Sequence, residues 1–585
     1  MKFKFLPLRL KNQVNNIFNK NERLATNIIK DEPLSKFDLS SRHMTTFDSG
    51  KLVPIYCKET YAGDIFKIDV ATLLRQGTPQ SATMENALFD IHFFFVPFRI
   101  VWENFKALMG ENKNAGFQKD VKNVPLINYD IELKYTADDL ASYLGFPQNV
   151  DMSKTGLSIS SLYFKAYIQI WNDYYRDQNL QSEIDNTNQN KNDSNVNVSD
   201  YKGQDYNLSL QIGQGLAPVS RLSDYFSTCL PYPQKGDALT INNLPLQNLV
   251  VNGSIDNDSD KTKLFSPKWF DNSGNNPSSS RKTLQYNPNN TIITSQAEGS
   301  GGSQVNLALK IADDATISVK PNTQAYSVND LRLTLALQHI LELDARGGTR
   351  YFEIILNHFG VSASDARLDR AEFIGGFRDN VVINNIVQSS SSTETSPLGL
   401  LGGVSVSQGQ TPKSIEYAVK EYGVIMGFVI VRPQVNYSQG LNKQYTKVER
   451  YDFYDPKLAN IGEQPVRKYE IFLDDTDGDG NTNNDVFGYN EPYADLRYDS
   501  NKLTGYLSVN NNLSLSSLYA YTEKYTIAPT LGSDWIKANP AVIGDTLLVK
   551  DGKSEYIHQY LGDFYFNVVA DRKLPLYGIP GLNKV

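Results

Sequence analysis

The chain has 585 residues, of which 40% are hydrophobic, 21% charged and 11% aromatic, with 34 Tyr and 28 Phe. That composition can bury a substantial core and excludes global disorder. Two cysteines, Cys57 and Cys229, exclude a disulfide scaffold and a Cys-based zinc site. The 57 basic and 65 acidic residues leave a net charge of −8, which excludes a protein that wraps nucleic acid with its whole surface.

Residues 1–36 read as a basic N-terminal arm; within the first thirty, Lys2, Lys4, Arg9, Lys11, Lys20, Arg23 and Lys30 face the single acid Glu22. Chain ends of this kind are usually solvated; the charge also suits contact with phosphate or with a neighbouring subunit. The first nine residues carry the charge of a signal peptide without its apolar run, because Arg9 and Lys11 interrupt it, so secretion by that route is not expected. The longest apolar runs, such as Val424 to Val431, are strand-sized and fall short of the roughly 20 residues of a helical membrane span.

Short strands follow the arm. Lys51 to Lys58 has apolar residues on both faces, and Pro54 places it at an edge or a bulge. Ala62-Gly63-Asp64 reads as a turn into Ile65, Phe66 and Ile68. Ala87 to Phe95 ends in three Phe before Pro97 and predicts a strand buried on both faces. Val101, Trp102, Phe105, Leu108 and Met109 have helical spacing up to Gly110. A second helix is predicted from Ser161 to Arg176, where Tyr163, Phe164, Tyr167, Trp171, Tyr174 and Tyr175 form a packed face rather than a cofactor box. Ser327, with Asp330 three places on, caps a third helix that runs to Gly347-Gly348; a fourth spans Tyr351 to Phe359 and stops at Gly360.

Three polar stretches read as insertions: about 181–200, 235–325 and 388–412, rich in Asn, Ser, Asp and Gly, with Val305 to Ile311 a strand-like piece of the second. The last third returns to strands at Ile415 to Tyr437, Tyr451 to Tyr454, Val466 to Leu473 and Phe564 to Ala570. Strands run the length of the chain without the helix alternation of a parallel α/β sheet. The expected fold is therefore mainly β, an eight-stranded antiparallel sandwich or barrel of jelly-roll type, with long inserted loops and a few peripheral helices. Residues 37–585 form its single domain.

No catalytic constellation emerges. His43, His92, His339, His358 and His558 are scattered, and no Walker loop, nucleophile elbow or dinucleotide fingerprint occurs. No enzyme is expected and no cofactor is required. One loop has metal-binding spacing: Asp475, Asp477 and Asp479 occupy the first, third and fifth places of a calcium loop, with Gly480 at the sixth. The twelfth place is Val486 instead of Glu, so it is not an EF-hand. The candidate calcium ligands are Asp475, Asp477, Asp479, the carbonyl of Asn481, and Asp485; the competing reading is a solvated acidic hairpin.

Several motifs, in order, resemble the microvirus (Microviridae) major capsid proteins, with the gokushovirus-like branch nearest. They are Phe37-Asp-Leu-Ser40, Leu52-Val-Pro-Ile-Tyr56, Phe93 to Arg99 with Trp102, Met109 to Asn112, Ile170 to Asn179, Leu230 to Gly236 and Asp344 to Tyr351. His358 to Val361, Asp365 to Leu368, Tyr437 to Gly440, Arg450 to Tyr454, Leu458 to Gln464 and Arg572 to Leu582 complete the series.

The resemblance implies the coat subunit of a small bacteriophage, with a viral jelly roll, in an icosahedral T=1 shell of about sixty copies around single-stranded DNA. It implies a virion protein assembled in the bacterial host cytoplasm, and a surface protrusion in the 235–325 insertion that meets a host cell-surface receptor. Further partners would be a small basic DNA-packaging protein and a minor pilot protein. By charge alone Lys2, Lys4, Arg9 and Lys11 are the candidate DNA contacts. A second reading, an aromatic-rich glycan-binding protein of a bacterial cell surface, would call for a secretion signal.

Overall fold

Alternating apolar and polar residues build one sheet of this chain, and nearly unbroken apolar runs build the central strands of the other. The computed structural model describes residues 34–77, 79, 81, 83–85, 87–111, 123–184, 194–236, 283–285, 294–296, 328–348, 350–381, 405–476, 481–511, 513–547 and 558–576. Its principal strands are β1 (Ser35–Asp38), β2 (Ser41–Phe47), β3 (Val53–Thr60), β4 (Ile65–Gln76), β5 (Ala87–Pro97), β6 (Glu372–Val381), β7 (Ser405–Gln410), β8 (Ile415–Ala418), β9 (Gly423–Pro433), β10 (Gln464–Arg467), β11 (Val486–Asn490) and β12 (Tyr560–Arg572).

In the first sheet β12 lies between β4 and the successive segments β2 and β1, while β7 and β8 pair with successive halves of β4. The second sheet has the order β6-β5-β9-β3. All these pairings are antiparallel. In β4, Phe66, Ile68, Val70 and Leu74 are buried and Lys67, Ala71 and Arg75 are exposed, as expected of a sheet with one covered face. β9 is buried from Gly423 to Val431, so its sheet is covered on both faces.

The inner cover is the first sheet: Tyr56 and Phe566 have ring centroids 5.0 Å apart. Gly427 makes room for this contact, since a Cβ there would lie 2.6 Å from Phe93 and 3.0 Å from Tyr56. The outer cover is helix α1 (Leu162–Ile170) with the π-turn Trp171–Tyr175 that follows. Tyr167 packs on Phe428 at 5.8 Å and donates its hydroxyl to the Leu52 carbonyl, and Tyr174 packs on Phe94 at 4.7 Å. Two antiparallel sheets sharing one hydrophobic core is an arrangement compatible with a β-sandwich.

Several elements differ from the sequence reading. The helix expected across Val101 to Met109 is two single turns, Phe98–Val101 and Phe105–Leu108, because the fully buried Trp102 between them is extended. The end of the 388–412 insertion is β7; Gly409 lies within it where a Cβ would meet Phe89 and Thr72, so its polar, small residues serve packing and not a loop. In the 181–200 stretch, Val196–Asn197 pairs in parallel with residues 127–128, and Val196 and Val198 are buried. Pro54 sits both at a sheet edge and at the register shift opposite Phe428. Val305 to Ile311 lies outside the described residues.

The chain divides into two compact units, Met1–Lys235 with Leu341–Val585, and Gly236–Ile340. Within the second, Thr283–Gln285 pairs antiparallel with Thr294–Gln296. Helix α2 (Val328–Arg346) begins in the second unit and ends in the first, and α3 (Tyr351–Phe359) belongs to the first.

Candidate functional site

Three of the sequence motifs converge at the C-terminal end of α1. The Arg350 guanidinium donates to the carbonyls of Asn172 and Arg176, both at 2.9 Å, satisfying groups that a helix end leaves without partners. The Arg350 backbone N–H donates to Gln178, and Glu353 pairs with the guanidinium. Asp173 accepts from the Ala371 N–H and from Gln169, and burial pushes its carboxyl above the usual range. Tyr174 donates to the Ala371 carbonyl at 2.6 Å and carries the Arg370 guanidinium over its ring at 4.3 Å. His358 bonds Asp344 at 2.7 Å, and α3 ends at Gly360 with φ +65°. Residues 170–179, 344–351 and 365–371 thus interlock through side-chain bonds to one another's backbone, although the Nε atoms of Arg176, Arg350 and Arg370 are buried without a hydrogen-bond partner among the described residues.

The second feature is a surface tongue. Residues 443–458 carry three short 3₁₀ turns, Lys443–Thr446, Arg450–Asp452 and Pro456–Leu458. The strand expected at Tyr451 to Tyr454 does not form: the Asp452 carboxylate accepts the N–H groups of Val448 and Glu449 and closes a turn. The tongue is tied down by the buried Lys447–Asp495 ion pair at 2.6 Å and by Tyr454 against Tyr493, at 5.0 Å edge to face. Tyr493 holds φ +58°, rare for a bulky residue. With these ties made, Tyr445 (71%), Val448 (85%), Tyr451 (72%), Tyr454 (54%), Leu496 (60%) and Tyr498 (52%) remain exposed.

Beside the tongue lies a cavity of about 280 Å³ whose walls include Tyr225, Phe226, Tyr437, Tyr445 and Tyr498, with Glu470 and Asp495. Glu470 accepts from the Tyr225 hydroxyl and the Arg467 N–H, and burial raises its pKa. The sequence reading marked Arg450 to Tyr454 as a family motif and Tyr451 to Tyr454 as a strand, but not as an exposed surface. Its signal was the cluster of aromatics Tyr451, Phe453 and Tyr454 after Tyr445, which also fits a strand.

The residues expected to carry sites are distributed differently. Lys2, Lys4, Arg9 and Lys11 lie outside the described residues, as do Asp477 and Asp479. Asp475 is exposed, and Asn481 opens a single helical turn, Asn481–Asn484. Asp485 is ion-paired with Lys468 at 3.0 Å, an interaction with which a cation would compete. Asp474, next to the expected ligands, accepts from the Thr476 N–H and hydroxyl, which hold its carboxyl below the usual range. Among the described residues no group of three or more His, Cys, Asp or Glu is arranged to hold a metal ion. His43 bonds the Ile55 carbonyl, His92 the Tyr175 hydroxyl, and His558 Thr46 and Asp138.

Residues 27–582 match the family described as capsid protein (F protein). Three relatives, each a capsid protein VP1, align along nearly their whole length. That of Spiroplasma virus 4 is 32% identical over 560 residues, covering 94% of this chain and 96% of its own. That of Bdellovibrio phage phiMH2K is 31% identical over 563 residues, covering 93% and 95%. That of Chlamydia phage 1 is 30% identical over 587 residues, covering 94% and 96%. The gokushovirus-like resemblance read from the motifs is confirmed, and the glycan-binding alternative has no support. The protein is a structural virion component and not an enzyme, and its partners include copies of itself. The chain belongs to the capsid protein (F protein) family and is the major capsid protein of a microvirus.

Proposed function

We infer that the two sheets are the faces of an eight-stranded jelly roll, and that about sixty such subunits close into an icosahedral shell around single-stranded DNA. The observation that carries this reading is the strand order. If β1 with β2, and β7 with β8, count as single interrupted strands, each sheet has four members, β1/β2-β12-β4-β7/β8 and β3-β9-β5-β6. Both sheets thread C-terminal strands between N-terminal ones, as two nested Greek keys require.

Such a shell assembles in the host cytoplasm, and the 235–325 insertion presents the receptor-binding protrusion. A net charge of −8 leaves DNA condensation to a small basic packaging protein, with Lys2, Lys4, Arg9 and Lys11 adding sequence-independent contacts and a minor pilot protein completing the particle. The Asp475–Asp485 loop is a candidate calcium site at the subunit edge.

Sedimentation of purified protein tests the whole reading. A closed particle or its pentamer-sized precursor is expected, and a monomer at micromolar concentration under every ionic condition contradicts it. Particles in which Lys2, Lys4, Arg9 and Lys11 are all changed to Gln should contain less DNA; equal DNA content removes the arm from that role. Equal melting temperatures in millimolar calcium and in chelator remove the calcium site.

A further inference from the structure

We propose that the 443–458 tongue, with the rim of the adjoining cavity, is a contact surface for a second copy of this chain in the shell. The inference rests on the coat-subunit reading and names one of the surfaces that reading requires.

Three observations carry it. The first is area. An aromatic side chain presents about 150–250 Å² when fully exposed, so Tyr445, Tyr451, Tyr454 and Tyr498 at their observed exposures offer roughly 400–600 Å². Val448 and Leu496 add to that, and the sum approaches the ~800 Å² per partner of a specific interface.

The second is preorganisation. The Lys447–Asp495 ion pair, the Asp452 turn and the Tyr454–Tyr493 contact fix the backbone of the tongue without covering its rings. A backbone held in place before binding loses little further entropy on docking, and Tyr and Arg are among the residues that dominate interface energetics. Arg450 stands over the Tyr451 ring at 5.9 Å. The cavity beside them offers an aromatic-walled recess in which a partner side chain can be desolvated.

The third is charge, which selects the partner. With Lys447 paired to Asp495, Lys443, Arg450 and Lys457 are interspersed along the tongue with Glu449, Asp452 and Asp455. A surface for the genome would need a basic excess to displace counterions. A surface of interspersed signs matches a partner of the same composition, as a second copy is.

Hydroxyl-radical footprinting of the wild-type chain tests this with no substitution. Modification of Tyr445, Val448, Tyr451 and Tyr498 should be about fivefold or more lower in DNA-free shells than in dissociated subunits. Equal modification in both states overturns the inference, as does protection only in DNA-filled particles, which would assign the surface to the genome. Protection already complete in the isolated subunit also overturns it, because the chain would then cover its own tongue. A variant carrying Val448→Asp and Tyr451→Asp should melt as wild type does and fail to close shells; normal shells from it overturn the inference while leaving the coat reading intact. A wild-type chain that never assembles defeats the coat reading itself.

Discussion

His92 shows how strictly the covered sheet treats a titratable side chain. Its imidazole accepts or donates a 2.8 Å hydrogen bond with the buried Tyr175 hydroxyl and lies against Phe94 and Phe373. Burial pushes its pKa down to about 4; Arg432 and Arg378 act in the same direction and Asp90 opposes them. A base whose pKa is depressed by folding takes up its proton more readily in the unfolded chain. Its contribution to stability is therefore complete above about pH 6.5 and is lost as the pH falls from there through about 4. The two pKa values differ by an amount worth about 3 kcal/mol, of which roughly 2 kcal/mol is lost between pH 7 and pH 5. Replacing His92 with Gln keeps a neutral hydrogen-bonding group at this position. Subunit melts of His92→Gln should show a smaller fall between pH 7 and pH 5 than wild type; parallel profiles would contradict this account. The sequence places His92 in a strand expected to be buried on both faces, but it does not name the partners Tyr175 and Arg432, which lie 83 and 340 positions away.

At the scale of elements, the sequence was informative wherever periodicity decided the structure. β5, β9, α2 and α3 stand where apolar patterning and glycine stops place them. It was silent on partners: β1 pairs Ser35 with Arg572, and no local pattern encodes a contact of that separation. The helix expected from Ser161 to Arg176 forms and ends in the Trp171–Tyr175 π-turn, whereas local rules failed where tertiary packing overrode them, at Trp102 and at β7. The interlock around Arg350 is another such case. It joins α1, α3 and the Asp365–Leu368 turn through side-chain bonds to backbone carbonyls, so each motif looks isolated in sequence. Replacing Arg350 with Met removes two charge-assisted bonds, each worth about 1.5–3 kcal/mol, and leaves the Asn172 and Arg176 carbonyls without that donor. Hydrogen exchange should accelerate in α3 and the 365–368 turn while β5 and β9 keep their protection. Unchanged exchange in α3 would show that the interlock does not hold it.

For the whole molecule, the composition is that of a surface made to be covered. Many Tyr and Phe, few cysteines and a modest net charge suit a subunit whose neighbours complete its burial. Coat function was legible because its motifs extend along the chain; of the tongue only the Arg450 to Tyr454 motif was, since its exposed rings become distinctive only once the turns that fix them are seen. The claim that joins these scales is that two four-membered sheets, with the interrupted strands counted as one, form a jelly roll that closes into a shell of about sixty copies. Electron cryo-microscopy of purified particles tests it most directly. The account predicts an icosahedral map in which each subunit carries the orders β1/β2-β12-β4-β7/β8 and β3-β9-β5-β6, with residues 443–458 against a neighbouring subunit. A map with different strand connectivity, or protein that forms no closed particle, would contradict it.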